Sequence, residues 1–586
     1  MRVLLIRPPQ EGFFHTNERH YPIGLLYIAE ACRRKDYDVE ILDSLIYKNT
    51  PYVIEKKEMS KIQHDKLNKN PIFSEYIHYG SRIDDICNYI SIYNPDCIGI
   101  SIMFSCFYDT AYMLARRIKN MFPYITIIAG GAHVTSMYEH VMDNEAIDYA
   151  IRYEGEIAFP LLLDRIKENC SPNDIPGIVY RSSELHNKTT ISGRGIFCNE
   201  EVMRIKDLDD IKPAFDLINI FDYESVSIIT SRGCPYDCNF CSVNLSMGKE
   251  FRDRSKMNVV DEIENYYKMG VNRFNIEDDN FSLDINRAKD IFSEILNRKI
   301  KAEFYLPNGI ISCNIDKSTI KLFELAGVKK LFFGLETISQ RRLFEIGKNH
   351  TSLNEAMRAV RLANDSGIEA GVSLIIGFPD QTFSEIINEI SLLISLKIPI
   401  LAINPLYPIP HTEMYDNCLE KGILSGNEDY IELGGDNFPI CNKDFTKEDL
   451  YYIWVAVRGL NALNIHERYE LSAKKCLRFI SQHYLGKISF SEKETTLFIS
   501  IYKLRNEIIS AKYKICVDMI ISAIYLLTGI YYSCDYYIDS SYLVIKLEQS
   551  NELPPRAIGE LHTNIISFDS HKMDISKIDA YMINGG

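Results

Sequence analysis

The sequence predicts an α/β protein of three parts: a doubly wound parallel sheet, then a partial (β/α)6 barrel, then a mainly helical carboxyl-terminal region. Three observations predict it. Short apolar strings alternate with amphipathic stretches over residues 1–170, and again over 226–440. Between them, 171–225 is irregular and polar with several Pro and Gly, the composition of a connector. From 441 to 586 the pattern turns helical and tyrosine-rich, without clustered catalytic residue types.

The first series opens with V-L-L-I (3–6), a strand ending at the loop R-P-P-Q-E-G. After Pro22, Leu25, Ile28, Ala29 and Cys32 fall on one helical face. V-E-I-L-D (39–43) is the second strand, followed by a polar, Lys-rich insertion at 44–80. C-I-G-I-S (97–101), T-I-I-A (126–129) and Y-A-I (149–151) continue the series. Such alternation builds a parallel sheet covered on both faces, with ligands at the carboxyl ends of its strands. Two strand-end loops stand out, R-P-P-Q-E-G and G-G-A-H-V-T (130–135), whose paired glycines permit close backbone approach. A plain strand-to-helix turn is the competing reading of the second. Neither is G-x-G-x-x-G, so no nicotinamide site is expected.

The second series begins with V-S-I-I-T-S (226–231) and continues with R-F-N-I-E-D-D (273–279), A-E-F-Y-L (302–306), K-L-F-F-G-L-E (330–336), G-V-S-L-I-I-G (371–377) and A-I-N-P-L-Y (402–407). Helical stretches separate them, such as 259–269 with Val259, Ile263, Tyr266 and Tyr267 on one face and Gly270 as its stop. In a barrel, parallel strands end on one rim, so Glu277, Asp278, Asp279 and Glu336 should converge there.

Composition limits the rest. Hydrophobic content of 46% and charged content of 25% are those of a globular protein, and a net charge of −15 speaks against a nucleic-acid partner. No secretion signal is read in M-R-V-L-L-I-R-P-P, so a cytoplasmic chain with reduced thiols is expected. The apolar run 515–534 contains Asp518 and reads as a buried core helix, not a membrane span.

The first barrel strand runs into S-R-G-C-P-Y-D-C-N-F-C-S (231–242). Cys234, Cys238 and Cys241 are the clustered thiols among fifteen cysteines; others, such as Cys32, Cys87, Cys97 and Cys313, stand singly, as small buried hydrophobes do. Zinc usually takes ligands from two paired knuckles, and no His is nearby. Three thiols in one loop favour an iron–sulfur cluster with one iron left open.

C-P-Y-D-C-N-F-C resembles the C-x3-C-x2-C loop of the radical S-adenosylmethionine (SAM) enzymes. The resemblance implies a 4Fe–4S cluster on Cys234, Cys238 and Cys241, with SAM chelating the fourth iron and yielding the 5′-deoxyadenosyl radical. Phe240 fills the family's aromatic place before the third cysteine. F-R-D-R-S (251–255), with Arg254, resembles the run that follows it. N-I-E-D-D-N-F (275–281) puts Glu277, Asp278 and Asp279 where the family contacts the amino group of SAM. G-L-E-T (334–337) and I-I-G-F-P-D-Q-T (375–382) place Glu336 and Gly377 near the ribose and adenine. P-L-Y-P-I-P-H-T-E-M-Y (405–415) is similar to the sixth-strand run, but His411 stands where Gly is usual.

Residues 1–170 resemble the cobalamin-binding, Rossmann-like domain that precedes the barrel in one large subgroup, through R-P-P (7–9), P-I-G-L-L-Y-I-A (22–29), P-D-C-I-G-I-S (95–101), A-G-G-A-H-V-T (129–135) and R-Y-E-G-E (152–156). The resemblance implies cobalamin contacts at Pro8, Gly24, Ser101, Phe104, Ser105, Gly130, Gly131, His133, Thr135, Glu154, Gly155 and Glu156. The D-x-H-x-x-G motif is absent, so the lower axial site should be empty, water-filled or faced by F-S-C-F (104–107). Together the resemblance spans about residues 1–430.

It implies a cobalamin-dependent radical SAM methyltransferase acting on an unactivated carbon of a natural-product or cofactor-type substrate. A ring closure, ring contraction or other rearrangement with the same cofactors is the alternative. A non-catalytic cobalamin-binding regulator would not need the thiols and rim carboxylates, and a tRNA methylthiotransferase would carry further cysteines and a basic tail. The expected partners are a small-molecule or peptide substrate and a reductant such as flavodoxin or ferredoxin. No side chain is assigned a catalytic role. Tyr451, Tyr452, Trp454 and His466 are candidates for a substrate pocket.

Overall fold

The computed structural model describes residues 1–12, 21–49, 51–59, 63–64, 76–182, 190–191, 195–396, 398–426, 430, 438–461, 488–493, 496–502, 518, 521–522, 525–526, 532–539, 542–550 and 553–570. Its first sheet runs Asp38–Asp43, Arg2–Arg7, Cys97–Ser101, Thr126–Gly130 and Tyr149–Ile151, all parallel. Successive side chains of a strand face opposite ways. Val3 and Leu5 accordingly pack with Leu25, Ala29, Phe159 and Leu162 on one face. Leu4 and Ile6 pack with Ile86, Ile90, Ala111 and Leu114 on the other. The strand order reverses direction at Arg2–Arg7, so a crevice opens between the ends of that strand and Cys97–Ser101.

Two differences from the sequence reading concern this half. Residues read as connector form strands Ile178–Arg181, Thr190–Ile191 and Ile196–Cys198, which extend the same sheet antiparallel. They are short and turn-bounded, so their composition resembles a linker. The loop R-P-P-Q-E-G is also not open: Gln10–Gly12 pairs with Ile77–Tyr79 of the insertion, which pairs with Tyr52–Val53. Buried Glu11 there accepts from His78 Nδ1 at 2.8 Å and from Gln63.

The barrel is a six-stranded parallel sheet in sequence order: Val226–Ile228, Arg273–Ile276, Glu303–Ile310, Val328–Glu336, Glu369–Ile376 and Ile400–Pro405. Among the described residues the first and last strands are not paired, so the barrel is partial. Helix Lys447–Asn461 covers the open edge, and Asn461 bonds both the N–H (3.0 Å) and the carbonyl (2.7 Å) of Leu401.

The carboxyl-terminal region, expected to be mainly helical, also contains a four-stranded antiparallel sheet: Ile488–Lys493, Thr496–Tyr502, Tyr542–Gln549 and Tyr532–Asp539. T-L-F-I-S-I-Y and Y-L-V-I-K-L-E-Q carry the β-branched and aromatic residues that favour strands, so the tyrosine richness was partly a strand signal. The run 515–534 is helical at 518, 521–522 and 525–526, but its last residues belong to Tyr532–Asp539. Asp518 accepts from Tyr451 Oη at 2.6 Å. Among the described residues no helix is long and apolar enough to cross a membrane.

Candidate active site

The cysteine loop hangs between Ser231–Arg232 and Arg252–Asp253, a two-stranded antiparallel hairpin. All three thiols are half-buried. Burial, with their mutual repulsion, pushes Cys238 up to about 12 and raises Cys241. A thiolate trio there therefore needs a strongly positive partner, which an iron–sulfur core supplies. Among the described residues no three His, Cys, Asp or Glu groups converge as a single metal ion requires.

Buried acceptors and donors hold the loop. Asp278 accepts from Thr230 N (2.6 Å), Thr230 Oγ1 (2.5 Å) and Ser231 Oγ (2.6 Å). Asp279 accepts from Gly233 N at 2.8 Å. Asn239 N donates to Ile346 O at 3.1 Å, and Asn239 O accepts from Met414 N at 3.0 Å. Asn280 Nδ2 approaches Cys234 Sγ at 3.6 Å. Tyr236 stacks on His350 with ring centres 3.6 Å apart.

The sequence expectations for SAM divide here. Asp278 is buried, and Asp279 shapes backbone; these two act as loop scaffolding. Arg254 lies inside, its guanidinium bound to Glu262 (2.5 Å), Asn258 Oδ1 and Ile229 O (2.9 Å), because a buried guanidinium must satisfy its donors locally. Glu336 adopts φ +67° and pairs with Lys348, a cation held charged by that pairing and by nearby Cys238 and Cys241 against the pull of burial. Glu277 is half-buried at the rim; burial raises its pKa, opposed by hydrogen bonds from Asn308 and Ser227. Phe240 packs against the barrel core, and Gly377 makes a φ +85° turn whose N–H donates to Gln381 Oε1. His411 takes φ +66°, so the turn keeps the conformation usual for Gly. Tyr451 is buried in the core, with Tyr452 and Trp454 against it. His466 lies outside the described residues.

A cleft of about 1030 Å³, counted with the solvent in its open mouth, lies where the first sheet meets this loop. Leu5, Ile28, Ile128, Ile151 and Phe159 make an apolar slot in it. Of the expected cobalamin residues, Gly24, Ser101, Gly130, Gly131, Thr135, Glu154, Gly155 and Glu156 line it. Pro8 is buried, and Phe104, Ser105 and His133 are absent from its lining; Met103 represents that loop instead. His133 faces the core: Nδ1 meets Ser105 Oγ at 2.9 Å, its ring stacks on Tyr108, and burial drives its pKa down to about 3.

The two glycines differ. A Cβ on Gly131, at φ +120°, would stand 2.5 Å from Ile102 O, so its own loop demands glycine. A Cβ on Gly130 would meet nothing closer than Ile151 O at 4.0 Å and would project into free space. Glu154 and Glu156 are likewise claimed by protein: Arg252 Nη2 donates to Glu154 at 2.6 Å and Arg232 Nη2 to Glu156 at 2.6 Å. Sequence reasoning gave neither arginine a partner, although Arg252 stands in the run F-R-D-R-S that it singled out. Arg232 stands in S-R-G-C beside the thiols, but nothing local marks its distant partner.

Residues 72–163 match the model of the B12 binding domain, and 228–393 that of the Radical SAM superfamily. A protein named as an uncharacterized methyltransferase in Pyrococcus horikoshii is 28% identical over 435 residues, covering 72% of this chain and 84% of its own. The anaerobic magnesium-protoporphyrin IX monomethyl ester cyclase of Rubrivivax gelatinosus is 26% identical over 311 residues, covering 51% and 54%. The radical SAM methyltransferase TsrM of Kitasatospora setae, solved with tryptophan and aza-SAM, shares the fold at TM-score 0.55 and 19% identity, covering 72% of this chain and 76% of that one. The chain thus carries a B12-binding domain followed by a radical SAM domain, and its cofactors are a 4Fe–4S cluster, SAM and cobalamin.

Proposed function

We propose that the protein methylates an unactivated carbon of a natural-product or cofactor-type substrate, with the cluster on Cys234, Cys238 and Cys241 and cobalamin in the cleft. The observation that carries this reading is the shared wall: Arg232, Ser246 and Met247, from the segment bearing the thiols, line the same cleft as Gly130 and Thr135. A radical source and a methyl carrier acting on one carbon must lie side by side. Bound there, the cluster with SAM supplies hydrogen abstraction and cobalamin supplies the methyl group.

The chain's own groups hold and shield. Asp278 and Asp279 fix the backbone that aims the thiols. Bare Gly130 leaves room on the cleft floor, and the slot of Leu5, Ile128 and Phe159 keeps water out. Among the described residues Glu277, unlike Asp278 and Asp279, makes no bond to the cysteine-loop backbone, and unlike Glu336 it has no cation paired with it; we assign it, with Asn308 beside it, to the amino group of SAM. A flavodoxin or ferredoxin supplies electrons.

Incubation with methyl-labelled SAM and the true substrate should yield S-adenosylhomocysteine and 5′-deoxyadenosine in about equal amounts, with label in the product. Cys234→Ala should abolish 5′-deoxyadenosine, since a cluster needs all three thiols. The name of the Rubrivivax relative favours a second reading, ring closure without methyl transfer. Steady 5′-deoxyadenosine with no S-adenosylhomocysteine and no labelled product would establish that reading in place of the first.

A further inference from the structure

We propose that Arg232 joins the cobalamin cleft to the cysteine loop, so that filling either cofactor site changes the affinity of the other. The inference rests on cobalamin occupying the cleft.

Arg232 belongs to both places. Its backbone is one strand of the hairpin that carries the thiols, paired with Arg252 across the ladder, and Gly233 and Cys234 follow it directly. Its side chain is part of the cleft wall. Only 5% of that side chain is exposed, and it reaches the first domain through Glu156 at 2.6 Å and Glu154 at 3.4 Å. Arg252, its neighbour in register, holds Glu154 at 2.6 Å, and Ile205 N donates to the same carboxylate at 2.7 Å. The two glutamates flank Gly155 at the start of helix Gly155–Glu168, whose first residues also line the cleft. Cleft wall and cysteine loop are thus bolted together through four buried charges.

The bolt has a spare valence. Among the described residues Arg232 Nε makes no hydrogen bond, and neither does the hydroxyl of Tyr27, whose ring lies 5.4 Å from the Arg232 guanidinium and which lines the same cleft. A buried donor left unpaired is unfavourable, and a small turn of the guanidinium that brings it to an acceptor in the cleft removes the penalty. The periphery of a corrin ring bears carboxamides whose carbonyl oxygens accept such bonds. A corrinoid that engages Arg232 Nε–H therefore fixes the guanidinium, and with it the backbone leading into Gly233, whose N–H is held by Asp279. By linkage the effect runs equally from the SAM site to the cleft.

The experiment uses the full chain with its cluster reconstituted, hydroxocobalamin as the corrinoid, and S-adenosylhomocysteine as an unreactive occupant of the SAM site. The dissociation constant of hydroxocobalamin is read by absorbance with and without S-adenosylhomocysteine, alongside the paramagnetic resonance of the reduced cluster. The native chain should show at least about a fivefold difference in affinity and a cluster signal altered by the corrinoid. Arg232→Met combined with Glu156→Gln removes both charges together, so no buried ion is left alone. Both ligands should still bind, with the affinity ratio near one and the cluster signal indifferent to corrinoid. Arg232→Lys, which keeps the charge but lacks the Nε–H, should bind corrinoid about five- to tenfold more weakly. A native ratio of one, a double variant with the native ratio, or a lysine variant with native corrinoid affinity each overturns the inference. A native chain that takes up no hydroxocobalamin overturns the cleft assignment as well.

Discussion

The rims of the two parallel sheets both end in acidic loops, yet they direct their carboxylates in opposite ways. In the first domain Glu154 and Glu156 reach out to arginines of the barrel, 98 and 76 positions further along the chain. In the barrel Asp278 and Asp279 turn inward, onto the backbone and hydroxyls of the loop that bears the thiols. One rim uses charge to dock a neighbour and leaves its floor bare; the other uses charge to shape itself. An acid at a strand end is therefore not a ligand group by position alone. The nearest buried donor decides its task.

The sharpest way to break this contrast is to remove the inward acceptor. Asp278→Ala would leave Thr230 N, Thr230 Oγ1 and Ser231 Oγ without their acceptor and should cost roughly 3 kcal/mol or more in denaturant unfolding. Its reconstituted iron should fall by more than half, although the side chain is bonded to no thiol. Native iron content in that variant would return Asp278 to the list of direct SAM contacts.

The paired glycines sharpen the other side. At Gly131, φ +120° and ψ 177° lie where glycine alone is comfortable, so Gly131→Ala should cost about 1–3 kcal/mol. Gly130→Leu should change stability by less than about 0.5 kcal/mol, as a side chain there meets open space. Corrinoid uptake should nevertheless weaken at least tenfold, measured by equilibrium dialysis. Equal stability losses in the two variants would mean that the cleft floor is as tightly built as its neighbour.

The smallest effect concerns His133, which sits behind the cleft floor instead of in it. Burial, and then His140, lowers its pKa to about 3. Well above pH 6.5 it is neutral in both folded and unfolded chains. As pH falls through 6.5 the unfolded chain takes up a proton that the folded one refuses, so stability is lost toward acid. By pH 5.5 the loss is about 1.4 kcal/mol, and His133→Gln should lack that component when unfolding is compared at pH 7 and 5.5. An unchanged slope would place His133 in contact with solvent or ligand.

Much of the site was legible because its signals are local. Cys234, Cys238 and Cys241 lie within one loop, and the strands before Glu277 and Glu336 show themselves by period. What escaped was distant. That Arg254 belongs to Glu262 and Asn258, that Arg232 belongs to Glu156, and that Asp278 belongs to Thr230 follows from packing between elements. Short strands such as Ile196–Cys198 were hidden because so few residues cannot display a period.

The sequence by itself determined the order of the parts, the three thiols in one loop, and the glycine-bearing strand ends, since each is written in neighbouring residues whose spacing has a direct geometric meaning. Tertiary structure alone decided which carboxylates are scaffolding, which glycine faces the cleft, and that Arg232 belongs to both the cleft wall and the cysteine loop. Burial and hydrogen bonding assign those roles, and both depend on which segments meet after the chain has folded.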